Sequence, residues 1–212
     1  MSTLFVGDVH GCAAELEALL DRVDAERVVL VGDLYTKGPD PEGVWRLVRD
    51  RGLQAVKGNH DQRLVRLIAG ERPRDAHGQE VVARLDRADA AWRTHLASLP
   101  LILEVDGWTV VHAALHPSGD LQRTTEEDCL IRRHWPRGDR SAPRWWKTYR
   151  GDRRVVFGHD AIVGRVEVRR DGALHVVGLD TGCVYGGALT GFVVPEERFV
   201  TVPAARVYQP VG

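Results

Sequence analysis

What this 212-residue sequence has little of narrows it quickly. Cysteine occurs three times, at Cys12, Cys129 and Cys183. An odd number of widely spaced thiols without a C-x-x-C motif builds neither a disulfide framework nor a structural zinc site, so a reducing, cytoplasmic setting is the simplest expectation. No stretch approaches the roughly 20 apolar residues of a membrane-spanning helix, and residues 1–20 lack a basic start followed by a long apolar run. No membrane partner is expected. Charge of one sign is missing too: 29 Lys and Arg stand against 30 Asp and Glu, a formal net charge of −1. That balance argues against a stable nucleic-acid partner, and a charged ligand has to be recognised locally. Low-complexity segments, solenoid repeats and linkers are also absent. One domain over residues 1–212 follows, and its 43% hydrophobic content can build a core without staples.

What is there begins with a unit used three times. Thr3 to Val6 reads as a strand ending at Gly7-Asp8, followed by Leu16, Leu19, Leu20 and Val23 at helical spacing. Val28 to Val31 ends at Gly32-Asp33 and leads to a helix entered at Pro41; Gln54 to Lys57 ends at Gly58-Asn59-His60 and leads to Leu64, Val65, Leu67 and Ile68. Gln79 to Ala97 predicts one longer helix stopped by Pro100. Beyond it, Leu101 to Val105, Thr109 to His112, Val155 to Phe157, Leu174 to Leu179 and Ala188 to Val194 read as strands. The expectation is an α/β (α+β) fold of two packed sheets flanked by helices, with ligands beyond the carboxyl ends of the strands. Residues 114–148 interrupt it. Their arginines, with Trp135, Trp145, Trp146 and Tyr149, suit either a solvated insertion plugging the core edge or a lid that grips an anionic, base-containing substrate.

Five polar clusters follow predicted strands: Gly7-Asp8-Val9-His10-Gly11, Gly32-Asp33, Gly58-Asn59-His60-Asp61, His112-Ala113 and Gly158-His159. Carboxylate, amide and imidazole ligands together suit Mn, Fe or Zn better than a thiolate set would. Singly, each cluster is weak. In this order they resemble the calcineurin-type metallophosphoesterase superfamily, and the tail from Leu179 to Glu196 (LDTGCVYGGALTGFVVPE) resembles its bacterial phosphoprotein-phosphatase-like branch. That branch includes symmetrical diadenosine tetraphosphatases and the phosphatase module of bacterial polynucleotide kinase-phosphatases.

The resemblance implies a four-layer αββα sandwich and two divalent cations, manganese first, with Fe, Zn, Ni or Co as alternatives. Asp8 and His10 would hold the first, Asp33 would bridge, and Asn59, His112 and His159 would hold the second. His60 would protonate the leaving group, Asp61 would orient His60, and Asp180 would steady the site or merely cap its turn. The second cluster departs from the family's Gly-Asp-x-x-Asp-Arg-Gly pattern: Thr36 and Lys37 stand where Asp and Arg are usual. Lysine gives a point charge in place of a bidentate fork, a loss Arg63 could offset. Asp160, where relatives often carry a hydroxyl, is a second departure. The implied reaction is metal-dependent hydrolysis of a phosphate ester or anhydride. Symmetrical cleavage of a dinucleoside polyphosphate comes first and a serine/threonine phosphoprotein second. Nucleic-acid-end or 2′,3′-cyclic phosphates, and a non-catalytic scaffold, remain further alternatives.

Overall fold

The computed structural model describes residues 1–71 and 75–210. All three expected units are present: β1 (Thr3–Val6) leads to α1 (Ala13–Leu20), β2 (Arg27–Leu30) to α2 (Pro41–Asp50), and β3 (Gln54–Ala55) to α3 (Asn59–Ile68). β1, β2 and β3 pair in parallel, so the loops that follow them emerge at one end of the sheet. Two late strands, β9 (Ala188–Val194) and β10 (Arg198–Pro203), complete the sheet in the order β10-β9-β1-β2-β3, with β9 antiparallel to β1. The second sheet joins β4 (Ile102–Val105), β5 (Trp108–Val111), β6 (Arg154–Phe157), β7 (Val166–Arg170) and β8 (Ala173–Gly178) in the order β4-β5-β6-β8-β7. Here β5, β6 and β8 are parallel. The sequence reading missed β7 and β10. Both lie at sheet edges, where arginines on the exposed face hide the strand pattern.

Side chains alternate across each strand and thereby build three apolar layers. Leu4, Val6 and Leu30 face the helices of the first sheet, whereas Phe5, Val29 and Val31 face the second sheet and meet Trp108, Val110, Val156 and Val177. On the far side Val111, Val155, Phe157 and Val176 pack under Trp145, Trp146 and Tyr149. Two mixed five-stranded sheets flanked by helices result, as expected.

Two expectations change. The single helix over Gln79–Ala97 is two, α4 (Ala76–Ala88) and α5 (Ala91–Ser98), because Asp89 turns extended and its carboxylate caps the second by accepting from Ala91 N–H at 3.0 Å. Within residues 114–148 run α6 (Glu126–Ile131) and α7 (Trp145–Thr148), and Trp145 and Trp146 are buried against Phe157, each with ring centroids 5.1 Å from it. These two indoles plug the core edge, and stacking on a base is closed to them.

Candidate metal centre

Every ligand candidate stands where a strand gives way to a loop or helix. Asp8 and His10 follow β1, Asp33 follows β2, Asn59 opens α3, and His112 and His159 follow β5 and β6. Packing the two sheets turns these ends toward one another. Ligand atoms of Asp8, Asp33 and His112 lie within 4.8 Å of one another, as do those of His10, Asp33 and His60. Asp33 belongs to both groups: its Oδ2 is 3.5 Å from His10 Nε2 and 3.5 Å from His112 Nε2.

The imidazoles are oriented from behind. His112 Nδ1–H donates to the Val31 carbonyl at 2.9 Å, and His159 Nε2–H donates to the Ile131 carbonyl at 3.2 Å. Their remaining nitrogens, His112 Nε2 and His159 Nδ1, then carry lone pairs, and both point at Asn59 Oδ1, at 2.9 and 3.0 Å. Three acceptors converge with no proton among them, an arrangement that a cation satisfies. On the other side His10 Nδ1 contacts Thr36 Oγ1 at 3.3 Å, so the hydroxyl at the departed position fixes this ring, and Lys37 Nζ donates to His10 Nε2 at 3.1 Å.

Burial sets the protonation states. Asp33 is pushed up to about 7 by burial, and Asp180 to about 6 by burial and then by Asp33. Asp8 rises for the same first reason, with Asp180 and Asp33 adding to it. Three carboxyls crowded this way are short of positive charge. Burial lowers the imidazoles in turn, His112 to about 4 and His10 and His159 well below the usual range, so they are neutral at pH 7, as metal ligands must be.

The loops hold strained backbone. His10, Asp33, Lys37 and His159 all have positive φ, between 47° and 70°, which costs energy in non-glycine residues and persists only where the surroundings enforce it. Asp61 is part of that enforcement. Its buried carboxylate accepts from Asp33 N–H at 2.7 Å and Gly58 N–H at 2.9 Å through Oδ2, and from Leu34 N–H at 3.0 Å through Oδ1. Both oxygens are occupied by backbone, so the expected contact of Asp61 with the His60 ring gives way to a clamp on two ligand loops. Gly158 leaves room for Asp8, since a Cβ there would stand 2.0 Å from Asp8 Oδ1.

Around this array lies a cleft of about 380 Å³ whose walls include Lys37, His60, Arg133, Asp180 and Tyr185. Lys37 Nζ also donates to Tyr185 Oη at 2.8 Å. Asp180 faces the cleft and accepts from Gly182 N–H at 3.1 Å, so it caps its turn as well. Arg63 does not line the cleft; it is more than half exposed and pairs with Asp75 at 2.8 Å. The sequence reading passed over Arg133 and Tyr185. Arg133 was one arginine among many in the insertion, and only folding shows its Nη2 donating to the His159 carbonyl at 3.1 Å.

Sequence comparison agrees with the geometry. Residues 1–190 match the family model of the calcineurin-like phosphoesterases, and the chain belongs to that family, whose members hydrolyse phosphate esters or anhydrides with divalent metal ions. The convergent acceptors on Asn59, His112 and His159 and the carboxylates on either side fit such ions. The curated relatives point further. Bis(5′-nucleosyl)-tetraphosphatase PrpE [asymmetrical] of Halalkalibacterium halodurans is 31% identical over 95% of this chain and 93% of its own, and the Bacillus subtilis protein of that name is 28% identical over 96% and 95%. A crystal structure provisionally named a diadenosine tetraphosphatase is 32% identical, superposes with a TM-score of 0.81, and is matched over 96% of this chain and 93% of that one. Among the described residues no helix is long and apolar enough to cross a membrane.

Proposed function

We propose that this phosphoesterase hydrolyses dinucleoside tetraphosphates asymmetrically, at an anhydride bond. Asp8, His10, Asp33, Asn59, His112 and His159 would hold two divalent cations, manganese first, with Asp33 shared between them. The observation that carries the metal assignment is the proton-free convergence of Asn59 Oδ1, His112 Nε2 and His159 Nδ1. Bound there, the cations would supply positive charge to the phosphate oxygens and a nucleophilic water near neutral pH. Lys37 and Arg133 flank the cleft and offset the remaining charge of the polyphosphate. Sequence reasoning favoured the symmetrical cut; the relatives that align over nearly the whole chain carry the asymmetrical name, and we adopt it.

His60 bears on the choice of substrate. It lines the cleft, and burial, followed by Lys37 and His112, lowers it to about 3, so the ring is neutral at pH 7. A nucleotide leaving from an anhydride departs as a phosphate whose last pKa is about 6 and needs no proton from the enzyme. A serine alkoxide does need one, and that weakens the phosphoprotein reading. The scaffold alternative predicts lost ligands, and the presence of all six candidate side chains in one place supports the catalytic reading over it. Three free, buried thiols suit the reducing cytoplasm.

The test is product analysis. Manganese-loaded protein given diadenosine tetraphosphate is expected to release ATP and AMP in equal amounts. ADP alone would assign the symmetrical cut, and an intact dinucleotide beside a dephosphorylated phosphopeptide would overturn the substrate class.

A further inference from the structure

The cleft continues past the ligands. Across Asn59, Arg133, His159 and Ile162 it opens into a second groove lined by the insertion, and the metal chemistry makes no use of it. Four arginines, Arg132, Arg133, Arg140 and Arg144, line this groove against Glu127 and Asp139. Arg132 is engaged by Glu127 and Asp128. Arg133 and Arg144 share a single carboxylate: Arg144 Nη1 is 3.1 Å from Asp160 Oδ2, and Arg133 Nε is 3.7 Å from Asp160 Oδ1. One buried anion between two guanidinium groups leaves one positive charge over. Arg140 is exposed and takes part in no ion pair among the described residues. Beside these cations the rim is apolar, with Ile131 49% and Ile162 82% exposed.

The geometry points to this groove as the subsite for the far part of an oligophosphate substrate. Phosphates beyond the scissile one lie along Arg133, Arg140 and Arg144, and the attached nucleoside rests against Ile131 and Ile162. Guanidinium forks match phosphate oxygens, and a base or ribose face buries apolar surface. A phosphoserine has no charge beyond the group at the metals and would leave these arginines idle. Asp160 gains a role here as a positioning residue whose buried charge holds Arg133 and Arg144 beside the groove through ion pairs. The inference rests on the oligophosphate reading above and says which part of the protein reads the substrate's length.

Calorimetric binding of adenosine 5′-tetraphosphate and of inorganic phosphate to the full, manganese-loaded chain tests it. Losing one charge-assisted contact is expected to weaken tetraphosphate binding about tenfold in Arg140→Ala, with most of it restored in Arg140→Lys. Ile162→Ser is expected to weaken it about threefold. Affinity for inorganic phosphate is expected to stay within twofold throughout. Equal tetraphosphate affinity in all variants, or a parallel loss of affinity for inorganic phosphate, overturns the subsite. Turnover on the same samples separates the two readings. Arg140-dependent nucleotide binding without cleavage of diadenosine tetraphosphate refutes the substrate assignment and keeps the groove, whereas cleavage indifferent to Arg140 refutes the groove and keeps the substrate.

Discussion

Replacing Asp61 distinguishes a loop clamp from a partner of His60. In Asp61→Ala the N–H groups of Asp33, Leu34 and Gly58 lose their acceptor in a fully buried place. Each stranded donor costs about 1–3 kcal/mol, so about 3–6 kcal/mol is expected after some relaxation. That is a large share of the roughly 5–15 kcal/mol that holds a domain together. Asp61→Asn keeps one oxygen but turns an amide toward a backbone N–H, for about 2–3 kcal/mol. Relief of repulsion from Asp33, which with burial raises the carboxyl to about 6, moves the Asn value toward the lower end. Urea unfolding at pH 7.5 reads the stability. Metal content and turnover on an anhydride and on a nitrophenyl ester read the site. A clamp predicts lost stability, lost metal and an equal loss on both substrates. Undiminished stability with a defect confined to poor leaving groups would refute the clamp and restore Asp61 as the partner of His60.

Metal and pH are linked through the same carboxyls. Asp33 at about 7, and Asp61 and Asp180 at about 6, bind protons more tightly folded than unfolded, so these carboxyls take stability from the metal-free protein as pH rises from about 4 to 7. His10, His60, His112 and His159, held neutral by burial, return stability over the same window as the unfolded imidazoles lose their protons. Because a cation must displace protons from these carboxyls, excess manganese is expected to raise the melting temperature more at pH 7.5 than at pH 5; an equal rise at both would contradict the charge crowding. His60→Ala is expected to lower turnover less than tenfold on an anhydride and on an alkyl phosphate alike, because the neutral ring has no proton to give at pH 7, and a loss of about 10²–10⁴ confined to the alkyl phosphate would show that the ring acts as an acid. Gly158→Ala places a Cβ 2.0 Å from Asp8 Oδ1, so the carboxylate is displaced and metal stoichiometry is expected to fall; full occupancy by elemental analysis would remove Asp8 from the ligand set.

The parts of the site that were legible in the sequence are those whose signal is local. A short apolar strand ending in Gly-Asp, Gly-Asn-His or Gly-His announces both its own direction and a candidate ligand at its tip, and five such tips, in the order the family resemblance expects, bring Asp8, His10, Asp33, Asn59, His112 and His159 to one place. Asp61 was misread because adjacency in sequence suggested contact with His60, whereas the first turn of α3 swings the carboxylate back beneath three amides. Arg133 and Tyr185 carry no local mark, since what matters is which wall of the cleft they reach. Similarly, nothing in the composition of the insertion separates Trp145, which belongs to the core, from Arg140, which belongs to solvent.

The connectivity of the first sheet constrains assembly in the cell. Its central strand β1 is made first, yet one of its two neighbours, β9, comes from residues 188–194, after the whole second sheet has been synthesised. A chain emerging from the ribosome therefore exposes one edge of β1 until residues 188–194 have been made, and Asp8 waits for His159, 151 positions further along. Pairings this distant close slowly. A nascent chain that stops short of His159 carries five of the six candidate ligands, and one that stops short of β9 carries all six on an unfinished scaffold, so the side chains are in place before the sheet that positions them is complete.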